Sequence, residues 1–271
     1  MTKTKIMGIL NVTPDSCYDG GRYNTLERAL VHAVQMEEEG ADLIDIGGES
    51  TRPGAEPVSV EEELARVVPV IEALRDNLST PLSIDTMKPE VAEKALSLGV
   101  SLLNDVTGFQ NPTMRQVAAQ SDADLCVMHM QGEPRSMQDN PHYPEGIIPH
   151  LLDWFEQRLE ELQCDGISSD RIILDPGIGF GKTVAHNVEI LQNLPKIKGL
   201  ACRLLIGLSR KSFMMKITGK GREALLPPTL ALNGLLMMQE VDFIRVHDVQ
   251  EHRLCMEVLS QFKSLDCPMA I

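Results

Sequence analysis

The sequence lacks a long apolar run and is poor in positive charge. No uninterrupted apolar stretch approaches the ~20 residues that a helix needs to span a membrane, which predicts that the chain does not insert into one. Its 25 Lys and Arg residues stand against 39 Asp and Glu, a net charge of −14. This excess of negative charge argues against binding of nucleic acid through a basic face, although one small basic pocket for an anion remains compatible with it.

The cysteines lack the spacings that mark disulfide frameworks or metal sites. Six are present and none forms a Cys-x-x-Cys pair. We therefore expect reduced thiols, which are typical of a cytoplasmic protein. The first apolar run, Ile6–Leu10, is too short for the core of a secretion signal and is interpreted as a strand. The cysteines stand at positions 17, 126, 164, 202, 255 and 267.

No linker rich in Ser, Gly or Pro divides the 271 residues, and short apolar runs alternate with longer amphipathic stretches. The short runs are typical of strands buried on both faces, and the longer stretches repeat their apolar residues with the period of a helix. About eight such units predict a single (β/α)8 TIM barrel domain over residues 1–271, with a doubly wound open sheet as the alternative. The predicted strands are Ile6–Val12, Leu43–Ile46, Leu82–Ile84, Ser101–Leu103, Leu125–Met128, Ile172–Leu174, Leu204–Gly207 and Phe243–Val246.

Polar residues recur where the predicted strands end. One Asp or Asn after a strand is more often a helix cap or a turn former than a functional group, but Ser or Thr would serve equally well there. Capping alone therefore explains so many acids and amides poorly. In a barrel these ends meet at one mouth, whereas in an open sheet they spread along an edge, so the pattern favours a barrel with its site at the C-terminal mouth. The residues are Asn11, Asp45, Asp85, Asn104, Asp105, His129, Asp175, Ser209, Arg210, Arg245 and His247.

Residues 175–183 (DPGIGFGKT) form a glycine-rich segment that matches neither common nucleotide-binding motif. A Walker loop needs a glycine where Pro176 stands, and the glycines are spaced G-x-G-x-G, which is not the dinucleotide fingerprint. We interpret the segment as a loop at the mouth whose backbone approaches a ligand and whose Phe180 offers a flat face. The alternative is a plain glycine-rich turn.

Two polar loops and two basic clusters follow other predicted strands. Residues 11–21 and 47–54 are loops of the kind that close over a substrate. The clusters 209–212 (SRKS) and 245–248 (RVHD) follow the last two strands, where barrels most often bind phosphate. Either cluster alone is as easily a solvated turn, but the two together predict an anion site.

Eight segments, in order along the chain, resemble the signatures of the dihydropteroate synthase family. Any one of them is a weak signal, but the full set covers nearly the whole chain and is highly specific. The segments are residues 11–16 (NVTPDS), 47–54 (GGESTRPG), 83–86 (SIDT), 104–105 (ND), 128–132 (MHMQG), 175–182 (DPGIGFGK), 209–212 (SRKS) and 245–248 (RVHD).

The resemblance implies a transferase of folate biosynthesis that uses Mg²⁺, is a target of sulfonamides and forms a homodimer. Its substrates would be 6-hydroxymethyl-7,8-dihydropterin pyrophosphate and p-aminobenzoate, and its products 7,8-dihydropteroate and pyrophosphate. Two other classes stay open: a pterin-binding methyltransferase that serves a corrinoid, and a pterin-binding protein without catalysis. Neither class needs the combination of Arg52, the Lys211-Ser212 pair and the Arg245/His247 pair.

The family's functional positions match residues throughout the predicted mouth. The expected pterin-binding residues are Asp85, Asn104, Met128, Asp175, Gly207 and Lys211. The expected pyrophosphate-binding residues are Asn11, Thr51, Arg52, Arg245 and His247, with Asn11 also beside the metal. The expected p-aminobenzoate-binding residues are Thr51, Pro53, Phe180 and Ser212, and the catalytic candidates are Asp15, Asp85 and Lys211.

The residue types suit this reaction on chemical grounds. Loss of pyrophosphate leaves a pterin cation, so catalysis needs positive charge and Mg²⁺ around the leaving group, and carboxylates such as Asp15 and Asp85 beside the methylene carbon. An aromatic amine is already unprotonated at neutral pH, so we expect no dedicated general base.

The chain departs from the family pattern in its first loop. Cys17 stands where the family usually has Phe, and Tyr18 stands where it usually has a small polar residue. Because that Phe helps to wall the p-aminobenzoate site, we hypothesise that Cys17 enlarges the site and weakens sulfonamide binding more than substrate binding, unless Tyr18 takes its place.

Overall fold

The computed structural model describes residues 4–13, 22–51 and 54–263, without the side chains of residues 22–25 and 263. Eight parallel strands pair in chain order, and the last strand pairs with the first. This closed barrel confirms the predicted (β/α)8 TIM barrel and rules out the open sheet. No helix in these ranges is long and apolar enough to cross a membrane.

All eight predicted strands exist, with ends that differ by at most two residues from the prediction. The largest change is at the fourth, because Asn104 and Asp105 continue the ladder although their polarity suggests a loop. Asp45, predicted at a strand end, lies in the middle of its strand, since the ladder extends to Gly47. The strands are β1 Lys5–Asn11, β2 Leu43–Gly47, β3 Leu82–Asp85, β4 Leu102–Asp105, β5 Asp124–Met128, β6 Ile172–Asp175, β7 Arg203–Ile206 and β8 Phe243–Val246.

The barrel interior is an apolar layer with a polar layer above it. Side chains alternate between the two faces of a strand, so Leu43, Asp45 and Gly47 share the inner face of β2. Leu43 belongs to the apolar layer, whereas Asp45 and Ser83 are fully buried polar residues. The strand ends that carry the mouth lie just beyond them. The apolar layer consists of Met7, Leu43, Leu102, Cys126, Ile173, Leu205 and Phe243.

Helices cover the outside of the barrel and bury their apolar faces against it. The second helix begins at Val60, where Ser59 caps it by accepting a hydrogen bond from the Glu62 backbone at 3.2 Å. Val67 and Leu74 of the same helix are fully buried, and each such side chain stabilises the fold by roughly 1.5–3 kcal/mol. The α-helices are α1 Arg22–Glu38, α2 Val60–Asn77, α3 Pro89–Ser97, α4 Pro112–Ala119, α5 Ile147–Cys164, α6 Val184–Gln192, α7 Leu194–Lys198, α8 Ser212–Thr218, α9 Leu226–Met238 and α10 Val249–Lys263, and short 3-10 turns span Ser169–Arg171 and Arg222–Ala224.

Candidate active site

Polar strand ends form a ring at the C-terminal mouth of the barrel. The register pairs Asn11 with Gly47, Gly47 with Asp85, and Asp85 with Asn104. Further round, the ends of β5 and β6 are likewise paired, and Asp175 closes β6. The backbone ladder therefore brings together residues that are far apart in sequence, as the strand-end pattern predicts.

An arginine connects the buried polar layer to this ring. Arg245 donates from Nε to Asp45 Oδ2 at 2.6 Å and from Nη2 to Asp85 Oδ2 at 2.8 Å. Asp45 also accepts from Ser83 Oγ at 2.6 Å and from Asn104 Nδ2 at 3.0 Å. Arg245 therefore has its charge balanced by two carboxylates, and Asp45 fixes side chains from three other strands.

Asp85 is a carboxyl group with an unusual acidity. Burial raises its pKa to about 7 against the lowering effect of Arg245, and nearby Asp45 raises it further. Its side chain is 9% exposed, so little water is available to stabilise the ionised form. A carboxyl group of this kind is partly protonated at neutral pH and is suited to respond to a charge that develops beside it.

Two glycines lie between the polar side chains of the ring, and each leaves room there for a methyl group. A Cβ on Gly47 would lie 3.6 Å from Asn11 Oδ1 and 4.0 Å from Asp85 Oδ2. A Cβ on Gly207 would lie 3.9 Å from Asp175 Oδ2 and 3.7 Å from Arg245 Cβ. Both glycines therefore floor gaps that a side chain would fill and that a flat ligand is able to enter.

Lys211 contacts the glycine-rich loop that follows β6. Its ammonium donates to the carbonyl of Ile178 and lies 4.4 Å from the centre of the Phe180 ring. Burial lowers its pKa to about 8, although the negative charge of Asp175 opposes the shift. Asp175 itself has a pKa raised by burial, and its Oδ1 accepts from the Gly177 backbone at 2.8 Å.

Hydrogen bonds join the loops that follow β7 and β8. His247 Nδ1 lies 3.0 Å from Ser209 Oγ, and the His247 backbone donates to the same oxygen at 3.3 Å. Ser212 is exposed and begins α8. Thr51 is partly exposed at the end of the described part of the β2 loop.

A group of methionines lies beside the ring, of which the sequence pattern predicts only Met128. Met130 and Met137 pack with Met128 and Val106, and the Phe180 ring packs against the group. Methionine is flexible and polarisable, so this group forms an adaptable apolar wall.

Two buried residues beneath the ring belong to the site without having been predicted as binding residues. Asp45 and Ser83 hold the ring from below through the hydrogen bonds to Arg245 and to each other. Period-two alternation with Gly47 and Asp85 is the signal that places both on the inner face.

Several predicted site residues lie outside the described residues, namely Asp15, Arg52 and Pro53, and so do Cys17 and Tyr18. Their roles stay predictions. Within the described ranges, no group of three or more His, Cys, Asp or Glu side chains is arranged to hold a metal ion.

The chain matches known proteins over nearly its whole length. Residues 7–247 match a family described as pterin binding enzymes. The chain is 42% identical over 254 residues to the dihydropteroate synthase of Escherichia coli strain K12, and the match covers 94% of this chain and 90% of that protein.

Two solved structures show the same fold at similar identity. Yersinia pestis dihydropteroate synthase, solved with a sulfonamide drug complex, has a TM-score of 0.91 and 42% identity, and the match covers 97% of this chain and 95% of that one. Xanthomonas albilineans dihydropteroate synthase, solved with 4-aminobenzoic acid, has a TM-score of 0.89 and 40% identity, and the match covers 98% of this chain and 94% of that one.

Proposed function

Because the chain belongs to the pterin-binding enzyme family, as a dihydropteroate synthase, we propose a specific role for each residue of its barrel mouth. The enzyme is a transferase of folate biosynthesis that condenses 6-hydroxymethyl-7,8-dihydropterin pyrophosphate with p-aminobenzoate. The observation that carries the assignment of roles is the pairing of Asp85 with Asn104 at the mouth, together with Asp175, whose Oδ2 borders the gap at Gly207.

The pterin ring binds in the gap between Asp175 and Asn104. A pterin edge presents ring N–H and amino donors beside a carbonyl acceptor, which carboxylates, an amide and the Lys211 ammonium match. Hydrogen bonds to charged groups contribute on the order of 1.5–3 kcal/mol each. Gly207 gives the flat ring its space, and Met128 packs against it.

Pyrophosphate leaves towards the loops after β1, β2 and β8. Asn11, Thr51, Arg52 and the Arg245/His247 pair bind it, and their donors stabilise the charge that develops on the departing oxygen. The charge of Arg245 is already balanced by Asp45 and Asp85. We therefore propose that Arg52 supplies most of the positive charge that stabilises the leaving pyrophosphate.

The bond to pyrophosphate breaks before the new C–N bond forms. Departure leaves a pterin cation at the methylene carbon, and Asp85 in its ionised form, together with Asp15, stabilises that cation. The aromatic amine then attacks with its own lone pair and afterwards loses a proton to water, so no dedicated base is needed.

p-Aminobenzoate binds between the glycine-rich loop and the start of α8. Ser212 and Thr51 contact its carboxylate, while Phe180 and Pro53 wall its ring. Support comes from the position of Phe180 beside Lys211 and from the exposure of Ser212 at a helix start.

Mg²⁺ is the proposed cofactor. Asn11 offers an amide oxygen at the rim, across Gly47 from Asp85, and oxygen ligands are those that Mg²⁺ prefers. This ion commonly takes only one or two protein ligands together with substrate phosphates and waters, so the few donors here fit it. When bound, it neutralises charge on the leaving pyrophosphate.

Exposed apolar side chains on the last two helices offer a surface for a second copy of the chain. Leu254, Val258 and Phe262 form an exposed apolar stripe on α10, and Leu235 on the adjacent α9 extends it. A second copy of the chain covering this stripe gives the proposed homodimer, and Val258→Glu should yield monomers in sedimentation experiments. Free thiols at the described cysteines support a cytoplasmic location.

The function is tested by incubating the purified protein with the pterin pyrophosphate, p-aminobenzoate and Mg²⁺. We expect dihydropteroate and pyrophosphate in equal amounts. Asp175→Asn should lose most of this activity, whereas Asp122→Asn, an exposed position before β5, should retain it. Absence of product from the folded wild-type protein would overturn the proposal, as would equal activity of the two variants.

A further inference from the structure

The glycine-rich loop after β6 lies directly on the backbone of the segment that follows β5. A Cβ on Gly177 would lie 2.0 Å from the His129 carbonyl oxygen, and one on Gly181 would lie 2.8 Å from the Gln131 carbonyl oxygen. Both glycines also have positive φ, +67° and +65°. At these two glycines the loop backbone packs closely on the other segment without room for a side chain of its own, and hydrogen bonds to its carbonyls help to fix its position.

Side chains cap four consecutive carbonyls of this loop, residues 178–181. Irregular backbone cannot satisfy these acceptors by itself, so each cap both satisfies a polar group and fixes one point of the loop. The caps come from three parts of the chain: Lys211 to Ile178, Gln138 to Gly179, Lys182 to Phe180 and Tyr143 to Gly181.

Lys182 differs from the other caps because it ties two segments together while being buried, at 3% exposure. Its Nζ donates to the Phe180 carbonyl at 2.9 Å and to the His129 carbonyl at 3.2 Å, and lies 3.0 Å from His129 Nδ1. Its Nζ thus has three hydrogen-bond contacts, which is as many as a lysine nitrogen is able to make. Burying a lysine is costly, which makes a purely space-filling role a poor explanation.

Residues of helix α5 contact the His129 ring on the side away from Lys182. Its Nε2 lies 3.2 Å from His150 Nε2, and its ring lies edge-on to Trp154 with 5.0 Å between the centroids. The imidazole thus lies between Lys182 and helix α5 and contacts both Lys182 and Trp154, which is the only tryptophan in the sequence.

We propose that Lys182 is a positioning residue for the second substrate: by joining the backbone of His129 to that of Phe180, it holds the Phe180 ring beside Lys211, where p-aminobenzoate binds. This role rests on the proposed function of the mouth. Lys182 touches no substrate, and its effect reaches the reaction only through the loop.

The test is Lys182→Met, which keeps most of the length of the side chain and removes its hydrogen bonds. We expect the KM for p-aminobenzoate to rise by about tenfold, because small displacements of a binding wall have effects of this order. The dissociation constant of the pterin pyrophosphate, measured without the amine, should change less than this KM, because Met128 and Asp175 lie within the paired strands β5 and β6, which the ladder holds without Lys182. The fluorescence of Trp154 should shift.

Lys198→Met is the matched control. Lys198 also joins two backbone carbonyls, those of Gln239 at 3.2 Å and Glu240 at 2.9 Å, but it does so at the opposite end of the barrel. It should leave the KM for p-aminobenzoate and the Trp154 emission unchanged. An increase in KM in both variants would show a general loss of stability and overturn the positioning role.

Further outcomes separate this inference from the proposed function. A folded Lys182→Met enzyme with an unchanged KM for p-aminobenzoate, or with equal losses for both substrates, contradicts the positioning role alone. If that variant does not fold, Tyr143→Phe and Gln138→Ala each remove one other cap and should raise the same KM by about threefold; an unchanged KM in both overturns the inference. A wild-type protein that forms no product contradicts the proposed function instead.

Discussion

Arg245 and Asp85 form an ion pair at the barrel mouth, with Nη2 2.8 Å from Oδ2. The same guanidinium also binds the fully buried Asp45, so one positive charge faces two carboxylates where little water is present. Burial therefore outweighs the attraction of Arg245, and the pKa of Asp85 rises to about 7. The charge of Asp85 therefore changes near neutral pH.

The first prediction concerns the acidic side of the pH–rate profile. If ionised Asp85 stabilises the pterin cation, kcat/KM should rise with pH through an apparent pKa of about 7, until Lys211 begins to lose its proton at higher pH. Asp85→Asn should be slower by roughly 10²–10³-fold and should lack this limb. A wild-type rate that is constant between about pH 6 and 8 would contradict the assignment.

The second prediction concerns stability. The pKa of Asp85 is about 7 in the folded protein, whereas an aspartate in the unfolded chain has a pKa of 3.8, so between these values the folded state binds more protons. The stabilisation that follows from this difference in the pKa of Asp85 is fully present below about pH 4 and is lost as pH rises through about 7. Calorimetry of the ligand-free protein should show the Tm of Asp85→Asn rising relative to wild type from about pH 5 to pH 8. A constant difference in Tm would argue against a raised pKa.

The third prediction concerns the alkaline side of the profile. Burial lowers the pKa of Lys211 to about 8, so kcat/KM for the pterin substrate should fall above that pH as the ammonium loses its proton. Lys211→Arg keeps its charge throughout the accessible range, so it should be slower but show no alkaline limb. An unchanged limb in that variant would assign the titration to another group.

The sequence predicts the fold and the rim because both follow from local patterns. Strands buried on both faces appear as apolar runs, and the polar residues that end them meet once the sheet closes. The apolar pattern ends β4 too early because the polar Asn104 and Asp105 suggest a loop, although both lie in the ladder. Burial of polar groups inside a barrel is a tertiary effect that a local pattern does not contain.

The connections behind the rim are not predictable in the same way. Arg245 binds a carboxylate 200 residues away in sequence, and Lys182 contacts a histidine 53 residues away. Only the closed barrel and its register define such partners. The motif around Arg245 accordingly predicts a contact with pyrophosphate but not the two carboxylates, and no local pattern gives Lys182 a role.

The fourth prediction concerns Cys17, which lies outside the described residues. If the cysteine opens a wall that phenylalanine closes in related enzymes, Cys17→Phe should tighten binding of a sulfonamide more than it lowers the KM for p-aminobenzoate. The inhibition constant and the KM are measured side by side in both proteins. Equal inhibition constants would end the hypothesis, and Tyr18→Ala in the wild-type background shows whether Tyr18 already serves as the wall.

The fifth prediction uses the gap at Gly207. A Cβ there meets nothing closer than 3.7 Å, which is ordinary contact distance, so Gly207→Ala should fold with a stability within about 0.5 kcal/mol of wild type. The methyl group would nevertheless stand between Asp175 and Arg245, in the space assigned to the pterin ring. We expect the dissociation constant of the pterin pyrophosphate to rise at least about tenfold.

Gly234→Ala is the matched control for this change. Its Cβ would also find room, 3.6 Å from Leu259 on the outer helices, and it lies far from the mouth. Because both variants add the same methyl group without a clash, a difference between them in pterin affinity measures the occupancy of the Gly207 gap and not a loss of fold. Equal affinity in the two variants would mean that the pterin ring does not lie over Gly207, and the roles assigned to Asp175 and Lys211 would then have to be revised together.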